Sequence, residues 1–155
     1  MVIRRFQPGD EKVVSDFVCR NFLEVNIKDY KKEWMLEWVK SYTAENIMAE
    51  AEETHMYVAV IDDKLVGCGA VGKENESEEG CELRTLFILP ELQGQGIGRA
   101  LIEVLEKDDW ALAAKRVYLH SSITARVFYE KQGYKHVTGE PVLIDEDYYA
   151  MEKRK

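Results

Sequence analysis

The sequence is poor in cysteine and in long apolar runs, and each shortage argues against a class of protein. Three cysteines, Cys19, Cys68 and Cys81, are an odd number without the spacing of a metal site. They predict reduced, mostly buried thiols in a cytoplasmic protein without a bound metal. No apolar run approaches the ~18 residues of a membrane span, and the first residues lack the pattern of a secretion signal. We therefore expect no membrane association.

Positive charge is also in short supply. The chain has 21 Lys and Arg residues against 29 Asp and Glu residues, a formal net charge of −8. Surfaces that bind nucleic acids are basic, so we expect no nucleic-acid partner. An acidic chain suits cationic substrates such as amines, although acidity alone also serves solubility. A length of 155 residues predicts a single domain over residues 1–155.

The features that are present centre on residues 81–128. The apolar run 86–89 predicts a buried strand that ends at Pro90, and apolar residues at helical spacing predict a helix from about Gly98 to Leu105 or beyond. Between them lie three glycines at alternate positions, Gly94, Gly96 and Gly98. A strand, a glycine turn and a helix N-terminus are typical of an anion site. The first helical N–H groups are unpaired, and glycine lets the backbone approach a phosphate.

Two common phosphate motifs do not fit this stretch. In a G-x-G-x-x-G fingerprint the third glycine would fall on Arg99 or on Leu101, and no Gly-Lys-Ser/Thr triplet occurs. What remains is Gln93-x-x-Gly96-x-Gly98. It resembles the acetyl-CoA pyrophosphate loop of the GCN5-related N-acetyltransferase (GNAT) superfamily, Arg/Gln-x-x-Gly-x-Gly/Ala. The alternative is a tight turn whose glycines serve steric needs only.

A second stretch carries the same resemblance. Residues 125–134, Ala-Arg-Val-Phe-Tyr-Glu-Lys-Gln-Gly-Tyr, are similar to the superfamily's signature around a Phe-Tyr pair, here Phe128 and Tyr129. The position before Ala125, often asparagine in the family, is Thr124, which cannot make the two-sided contacts of an amide. Two motifs in the expected order and at a typical separation identify the chain as a member of the superfamily.

Hydrophobic periodicity predicts the element order β-α-α-β-β-β-α-β-α-β-β. The predicted strands are 2–6, 55–61, 65–71, 82–89, 116–120, 134–137 and 147–152, and the predicted helices are 10–25, 29–42, 98–105 and 124–132. Thr43 could cap a further turn or two of helix. This order favours an α/β fold with a mixed, mostly antiparallel sheet and helices on both faces, and the resemblance implies the GNAT-like acyl-CoA N-acyltransferase fold.

Two stretches have less specific interpretations. The aromatic stripe of residues 34–42 predicts core packing more than a substrate pocket. The acidic loop 73–80, which contains Glu74, Glu76, Glu78 and Glu79, predicts a solvated turn.

The resemblance implies acetyl-CoA as co-substrate. Backbone N–H groups of residues 95–99 would hold its pyrophosphate, Arg99 would add a charge, and its pantetheine arm would lie along strand residues 86–88. A backbone N–H of Phe87 or Ile88 would polarise the thioester carbonyl. The expected cofactor-binding residues are Phe87, Ile88, Gln93, Gly94, Gln95, Gly96, Ile97, Gly98, Arg99 and Thr124.

The resemblance also implies two catalytic residues. Tyr129 would protonate the leaving thiolate, since a phenol keeps its proton at neutral pH, and Glu82 would take the proton of the acceptor amine. The alternatives are a packed aromatic ring and a solvent-facing strand glutamate. The acceptor would lie near Tyr30, Trp34, Glu37 and Tyr148.

These expectations amount to an N-acetyltransferase that moves an acetyl group to a primary amine by direct attack in a ternary complex. No cysteine or serine stands beside a candidate base, which disfavours a covalent intermediate. The acceptor is a small-molecule or peptide amine, and longer acyl donors stay open. The alternative from another class is a non-catalytic acyl-CoA-binding or regulatory domain. Homodimers are common in the superfamily, but no pattern of residues in this sequence indicates one.

Overall fold

The computed structural model describes residues 1–74 and 79–155, in which eight strands form one sheet. The strands are β1 (Val2–Arg5), β2 (His55–Ile61), β3 (Lys64–Lys73), β4 (Gly80–Ile88), β5 (Arg116–Ser122), β6 (Lys135–His136), β7 (Leu143–Ile144) and β8 (Tyr148–Arg154). The helices in this part of the chain are α1 (Glu11–Glu24), α2 (Lys32–Val39), α3 (Ala44–Glu53), α4 (Ile97–Leu105), α5 (Asp109–Ala113) and α6 (Arg126–Lys131). Short 3₁₀ turns occupy Asn26–Lys28 and Pro90–Leu92. None of these helices is long and apolar enough to cross a bilayer.

The strand order is β1-β2-β3-β4-β5-β8-β6, with β7 also paired to β8. Among the described strands β4 and β5 run parallel, and the other neighbours run antiparallel. Side chains of α1, α2 and α3 pack with β2 and β3 in one buried cluster, and those of α4, α5 and α6 pack with β4 and β5 in another. The expected mixed, mostly antiparallel sheet with helices on both faces is therefore confirmed.

Side-chain caps and a glycine set several helix ends. The Thr43 hydroxyl accepts a hydrogen bond from the Asn46 N–H at 3.2 Å, which starts α3 as a full helix. Asp108 caps α5 through the Trp110 N–H at 2.9 Å, so the apolar segment that follows α4 forms a separate helix. Gly133, with a φ of +94°, follows the end of α6 at the position that favours glycine.

The small residues of β3 let helix α4 pack close to the sheet. A Cβ on Gly69 would lie 2.8 Å from a methyl carbon of Leu105, and one on Gly67 would lie 3.1 Å from a methyl carbon of Leu101. Both leucines are fully buried. The two glycines thus fix where the N-terminus of α4 stands relative to β4, and that N-terminus follows the glycine turn.

Four expectations need correction. Glu74 is buried, and its carboxylate pairs with the Arg116 guanidinium, whose Nη1 also contacts Glu152 at 2.6 Å, so this end of the acidic loop is not solvated. Glu76 and Glu78 lie outside the described residues. Val13 belongs to the apolar helical pattern that predicts helix 10–25 and is therefore expected to be buried, but it is 46% exposed because the buried face of α1 is narrower than that pattern. The second helix is shorter than 29–42 because a 3₁₀ turn and a bend precede it, and strand β7 was not anticipated.

Candidate active site

Strands β4 and β5 separate halfway along their length. They pair from Gly80↔Arg116 to Leu83↔Leu119, yet β4 continues to Ile88 and β5 to Ser122. A bulge lies where they part, since the register between β3 and β4 shifts there and Thr85 has a φ of +54°. Because a bulge bends its strand, the two parallel strands diverge toward their carboxyl ends. Within the described residues, the part of β4 that follows Leu83 therefore pairs with β3 on one side and has no strand on the other.

A cavity of about 510 Å³ occupies this opening. We call it the larger cavity, because a smaller one adjoins it. It is walled by β4 on one side, by α6 on the other and by the glycine turn at its end. The lining residues are Asn21, Val25, Asn26, Leu86, Phe87, Ile88, Leu92, Gln93, Gly94, Gly96, Ile97, Gly98, Arg99, Ser122, Thr124, Ala125, Phe128, Tyr129 and Gln132. Residues 86–88 are only half-buried because this opening exposes them. The prediction of a strand here is therefore confirmed, but the prediction that the strand is buried is wrong.

The glycine turn presents the N-terminus of α4 to the larger cavity. Gly94 and Gly96 have φ values of +79° and +85°, the left-handed region that favours glycine, and Gly96 caps the helix. The N–H groups of Ile97, Gly98 and Arg99 stand in the first turn, where a helix has no internal acceptors. A Cβ on Gly98 would lie 3.0 Å from the Phe128 ring, so this glycine joins the turn to α6. Gln95 is exposed and does not line the cavity.

Three polar residues expected at the cofactor site are engaged by the protein itself. Gln93 donates to Asn21 Oδ1 at 2.8 Å, and Asn21 Nδ2 in turn donates to the Ile88 carbonyl at 2.9 Å. Arg99 is exposed and pairs with Glu103, with Nε and Oε1 3.2 Å apart. The Thr124 hydroxyl donates to Asp29 at 2.8 Å. Gln93 and Thr124 therefore brace the walls of the cavity.

A second cavity of about 320 Å³, the smaller cavity, adjoins the first and shares six lining residues with it. The shared residues are Asn26, Leu86, Phe87, Ser122, Ala125 and Tyr129. The others are Phe22, Trp38, Tyr42, Glu50, Glu82, Leu83, Arg84, Thr85 and His120. Trp38 and Tyr42 thus line a cavity as well as packing on the core, whereas the expectation for this stripe favoured core packing over a substrate pocket. Tyr30, Trp34, Glu37 and Tyr148 do not line the smaller cavity.

Tyr129 stands where the two cavities meet. Helix α6 holds it, and its ring packs against Phe128 and Tyr134 with ring centroids 5.2 and 6.0 Å away. Burial raises the pKa of its phenol above the ordinary value near ~10. The phenol is therefore protonated at neutral pH and can donate a hydrogen bond at this position.

Two carboxylates line the smaller cavity, and only one was expected. Glu82, on β4, lies 3.4 Å from Arg84 Nε through Oε2. Glu50, on α3, accepts a hydrogen bond from the Thr85 hydroxyl at 2.6 Å, and burial raises its pKa. Glu50 shares a helix face with the buried Ile47, but three other glutamates, Glu45, Glu52 and Glu53, lie on the same helix, and no local pattern distinguishes it from them.

One tyrosine ties the walls of both cavities together. The Tyr30 hydroxyl donates to the Asp147 carbonyl and accepts from the Ile123 N–H at 2.8 Å. Tyr30 precedes α2, Ile123 precedes α6 and Asp147 precedes β8. The α1–α2 segment, which contributes Asn26 to both cavities, is therefore anchored to the loop that leads into α6.

The cysteines take no part in either cavity. Cys68 and Cys81 are buried in the two core clusters, and burial raises the pKa of the Cys81 thiol to about 11. Such a thiol is almost wholly protonated at neutral pH and is a poor nucleophile.

Comparison with known proteins gives a consistent result. Residues 22–152 match the family described as the acetyltransferase (GNAT) domain. Over 148 residues the chain is 28% identical to an amino-acid acetyltransferase of Mycobacterium tuberculosis, a match that covers 93% of this chain and 74% of that protein. A 73-residue stretch is 33% identical to an IAA acetyltransferase of Azospirillum brasilense and covers 45% of this chain and 47% of the relative, about half the length of each.

A solved structure shares the fold over nearly the whole chain. The PaiA N-acetyltransferase of Thermoplasma acidophilum, in complex with coenzyme A, has a TM-score of 0.83 at 20% sequence identity. The match covers 99% of this chain and 98% of that one. The family match extends from the first helix to the last strand, and it includes both motifs and the opening between β4 and β5. The chain belongs to the GCN5-related N-acetyltransferase family of acetyltransferases.

Proposed function

We propose that this protein transfers an acetyl group from acetyl-CoA to a primary amine, by direct attack of the amine on the thioester. The observation that carries the proposal is the pair of adjoining cavities that meet at Tyr129. The larger cavity would take the donor and the smaller one the acceptor. A reaction between two bound substrates needs such a shared boundary, because their reacting atoms must come within ~3–3.5 Å.

The chemistry of the larger cavity supports acetyl-CoA as the donor. The N-terminus of α4 and its glycine turn offer unpaired N–H groups and a favourable dipole for a pyrophosphate. The free edge of β4 at residues 86–88 offers backbone groups to the amides of a pantetheine arm. The coenzyme A complex of the Thermoplasma relative supports the same assignment by analogy of fold.

We assign three roles to residues at the boundary. Tyr129 protonates the departing thiolate of coenzyme A as the carbon–sulfur bond breaks. A backbone N–H of Phe87 or Ile88 stabilises the negative charge that develops on the thioester oxygen. Glu82 accepts the proton that the amine loses when its nitrogen bonds to the carbonyl carbon, directly or through a water molecule.

Glu82 has a demanding task, because an alkylamine with a pKa near ~10.4 is almost wholly protonated at pH 7. Deprotonating it costs about 4–5 kcal/mol at ~1.36 kcal/mol per pKa unit. Its position on β4, on the wall of the smaller cavity, supports this role. Direct attack is supported by the placement of Cys68 and Cys81 in the core, away from both cavities.

The test is thiol release from acetyl-CoA across a panel of small amines and basic peptides. Release that depends on one class of amine supports the proposal, and a peptide-only response would make the acceptor a protein. Coenzyme A binding without release from any amine would favour a non-catalytic acyl-CoA-binding domain. A burst of covalent acetyl-enzyme before steady state would rule out direct attack.

A further inference from the structure

The smaller cavity contains a carboxylate to which the proposed acetyl transfer gives no role. Glu50 projects from α3, outside both sequence motifs, and it lines the smaller cavity beside β4. Thr85 holds Glu50 Oε1 through a 2.6 Å hydrogen bond. An ionised carboxylate can accept several further hydrogen bonds, so Oε2 can still bind a donor on a ligand.

A cluster of aromatic rings lines the same cavity as this carboxylate. The ring centroids of Tyr42, Trp38 and Phe87 lie 5.1, 5.6 and 5.3 Å from that of Phe22, and all four side chains line the smaller cavity. Burial raises the pKa of Tyr42 to about 12, and the neighbouring charge of Glu50 adds to the rise. Glu50 and Tyr42 thus line the same cavity of about 320 Å³, so both are available to one ligand.

The charges around the cavity favour a cation over a carboxylate on the ligand. The cavity is lined by two carboxylates, Glu50 and Glu82, and one guanidinium, Arg84, which gives a formal net charge of −1 with His120 counted as neutral. Arg84 is already engaged, since it contacts Glu82 at 3.4 Å and donates to the Lys73 carbonyl at 3.1 Å. A ligand carboxylate would have to compete with these contacts, and it would also lie near Glu50 and Glu82.

We propose that the acceptor is an aliphatic diamine or polyamine whose second ammonium group binds between Glu50 and the Tyr42 ring. This assignment rests on the proposed acetyl transfer. The reacting amine faces Tyr129 and the thioester, and the methylene chain lies along the aromatic wall. The second ammonium makes a charge-assisted hydrogen bond to Glu50 and a cation–π contact to Tyr42.

Three acceptors of equal chain length test the charge requirement. They are 1,4-diaminobutane, pentylamine and 5-aminopentanoate, in which the distal group is an ammonium, a methyl or a carboxylate. We expect kcat/KM for the diamine to exceed that for pentylamine by about 10- to 100-fold, the range for a hydrogen bond to a charged group. The carboxylate should be the poorest of the three. Equal values for diamine and pentylamine, or a preference for 5-aminopentanoate, would overturn the inference.

A matched pair of variants tests the residue. Glu50→Gln keeps the size of the side chain and removes its charge, so we expect the ratio of kcat/KM for diamine over pentylamine to fall at least tenfold. Glu45→Gln makes the same change at an exposed position of α3 that does not line the cavity, and the ratio should hold. An unchanged ratio in Glu50→Gln would refute the role of Glu50, provided its melting temperature matches that of the wild type.

A binding measurement separates this inference from the proposed function. Each amine is titrated into wild-type protein saturated with coenzyme A, and its Kd is measured by calorimetry. Tighter binding of the diamine supports the inference even if no amine releases thiol, in which case the proposed acetyl transfer is the part that fails. Thiol release from all three amines at similar rates, with similar Kd values, leaves acetyl transfer standing and overturns the inference.

Discussion

The larger and smaller cavities share six residues but are built in opposite ways. The larger cavity includes three stretches that can present backbone groups to a ligand: the glycine turn, the first turn of α4 and the edge of β4 that faces away from β3. The smaller cavity presents side chains from α1, α2, α3 and the two central strands. Backbone recognition tolerates many sequences and suits a donor that a whole family shares. Recognition by side chains can vary between relatives, and it can therefore specify one acceptor.

Tyr129 belongs to both cavities, and its loss should have the largest effect. Tyr129→Phe removes the proposed acid, so we expect turnover to fall by about 10- to 10⁴-fold with acetyl-CoA affinity nearly intact. Tyr134→Phe is the matched control, because it also removes a buried hydroxyl, one that donates to Glu106 at 3.0 Å. Steady-state kinetics on both variants measure whether turnover falls in Tyr129→Phe and not in Tyr134→Phe. Unchanged turnover in Tyr129→Phe would leave Tyr129 as a packed aromatic ring.

Glu82 tests the chemistry of the smaller cavity. Glu82→Gln should lower turnover at pH 7 by about 100-fold, within the range for a general base. The deficit should shrink as pH rises toward ~10, because the fraction of free amine grows as the pH approaches the pKa of the amine. The raised pKa of Tyr129 keeps that proton in place over this range, so the recovery is not masked. A pH–rate profile that runs parallel to the wild type would argue against Glu82 as the base.

Gly96 tests the backbone character of the larger cavity. Gly96→Ala places a Cβ at a φ of +85°, which should destabilise the fold by about 1–2 kcal/mol and raise KM for acetyl-CoA about tenfold. Gly139→Ala is the control, since Gly139 has a φ of +84° and open space around its Cβ but lies outside both cavities. Denaturant unfolding should show a similar loss of folding free energy in the two variants. Only Gly96→Ala should raise the KM for acetyl-CoA. A rise in this KM in both variants would contradict the prediction.

Arg99 should give the smallest effect. Its side chain is 71% exposed and pairs with Glu103, so Arg99→Ala should raise KM for acetyl-CoA by only about two- to threefold. The difference should fade as salt is added, because exposed charges are screened. A loss above tenfold would show that a side chain, and not the backbone alone, dominates recognition of the donor.

The larger cavity was largely predictable from the sequence because its signals are local. A positive-φ turn requires glycines at fixed spacing, and Phe128 approaches Gly98 too closely for a side chain there. The strands, the helices of both motifs and the Thr43 cap also follow from neighbouring residues. Gln93 and Gln95 show the limit: Gln93 lines the cavity and hydrogen-bonds the distant Asn21, whereas Gln95 is exposed outside it, and no local pattern separates the two.

The smaller cavity depends on contacts between distant parts of the chain, so most of its lining was not predicted from the sequence. Glu50 meets Thr85 across 35 residues, and no local pattern separates it from the other glutamates of its segment. Glu74 was expected in solvent for the same reason, since its partner Arg116 lies 42 residues away. Trp38 and Tyr42 pack on the core and line the cavity together, a double role that helical periodicity cannot reveal.

The Tyr30 hydrogen bonds have a thermodynamic consequence. Because this hydroxyl links the α1–α2 segment to the loop before α6 and to the residue before β8, a ligand that orders one wall also orders the other. The two substrates should then bind with positive heterotropic coupling, and the coupling must be reciprocal: the factor by which acceptor tightens coenzyme A equals the factor by which coenzyme A tightens acceptor. Each substrate would thus dissociate more slowly when both are bound than when it is bound alone.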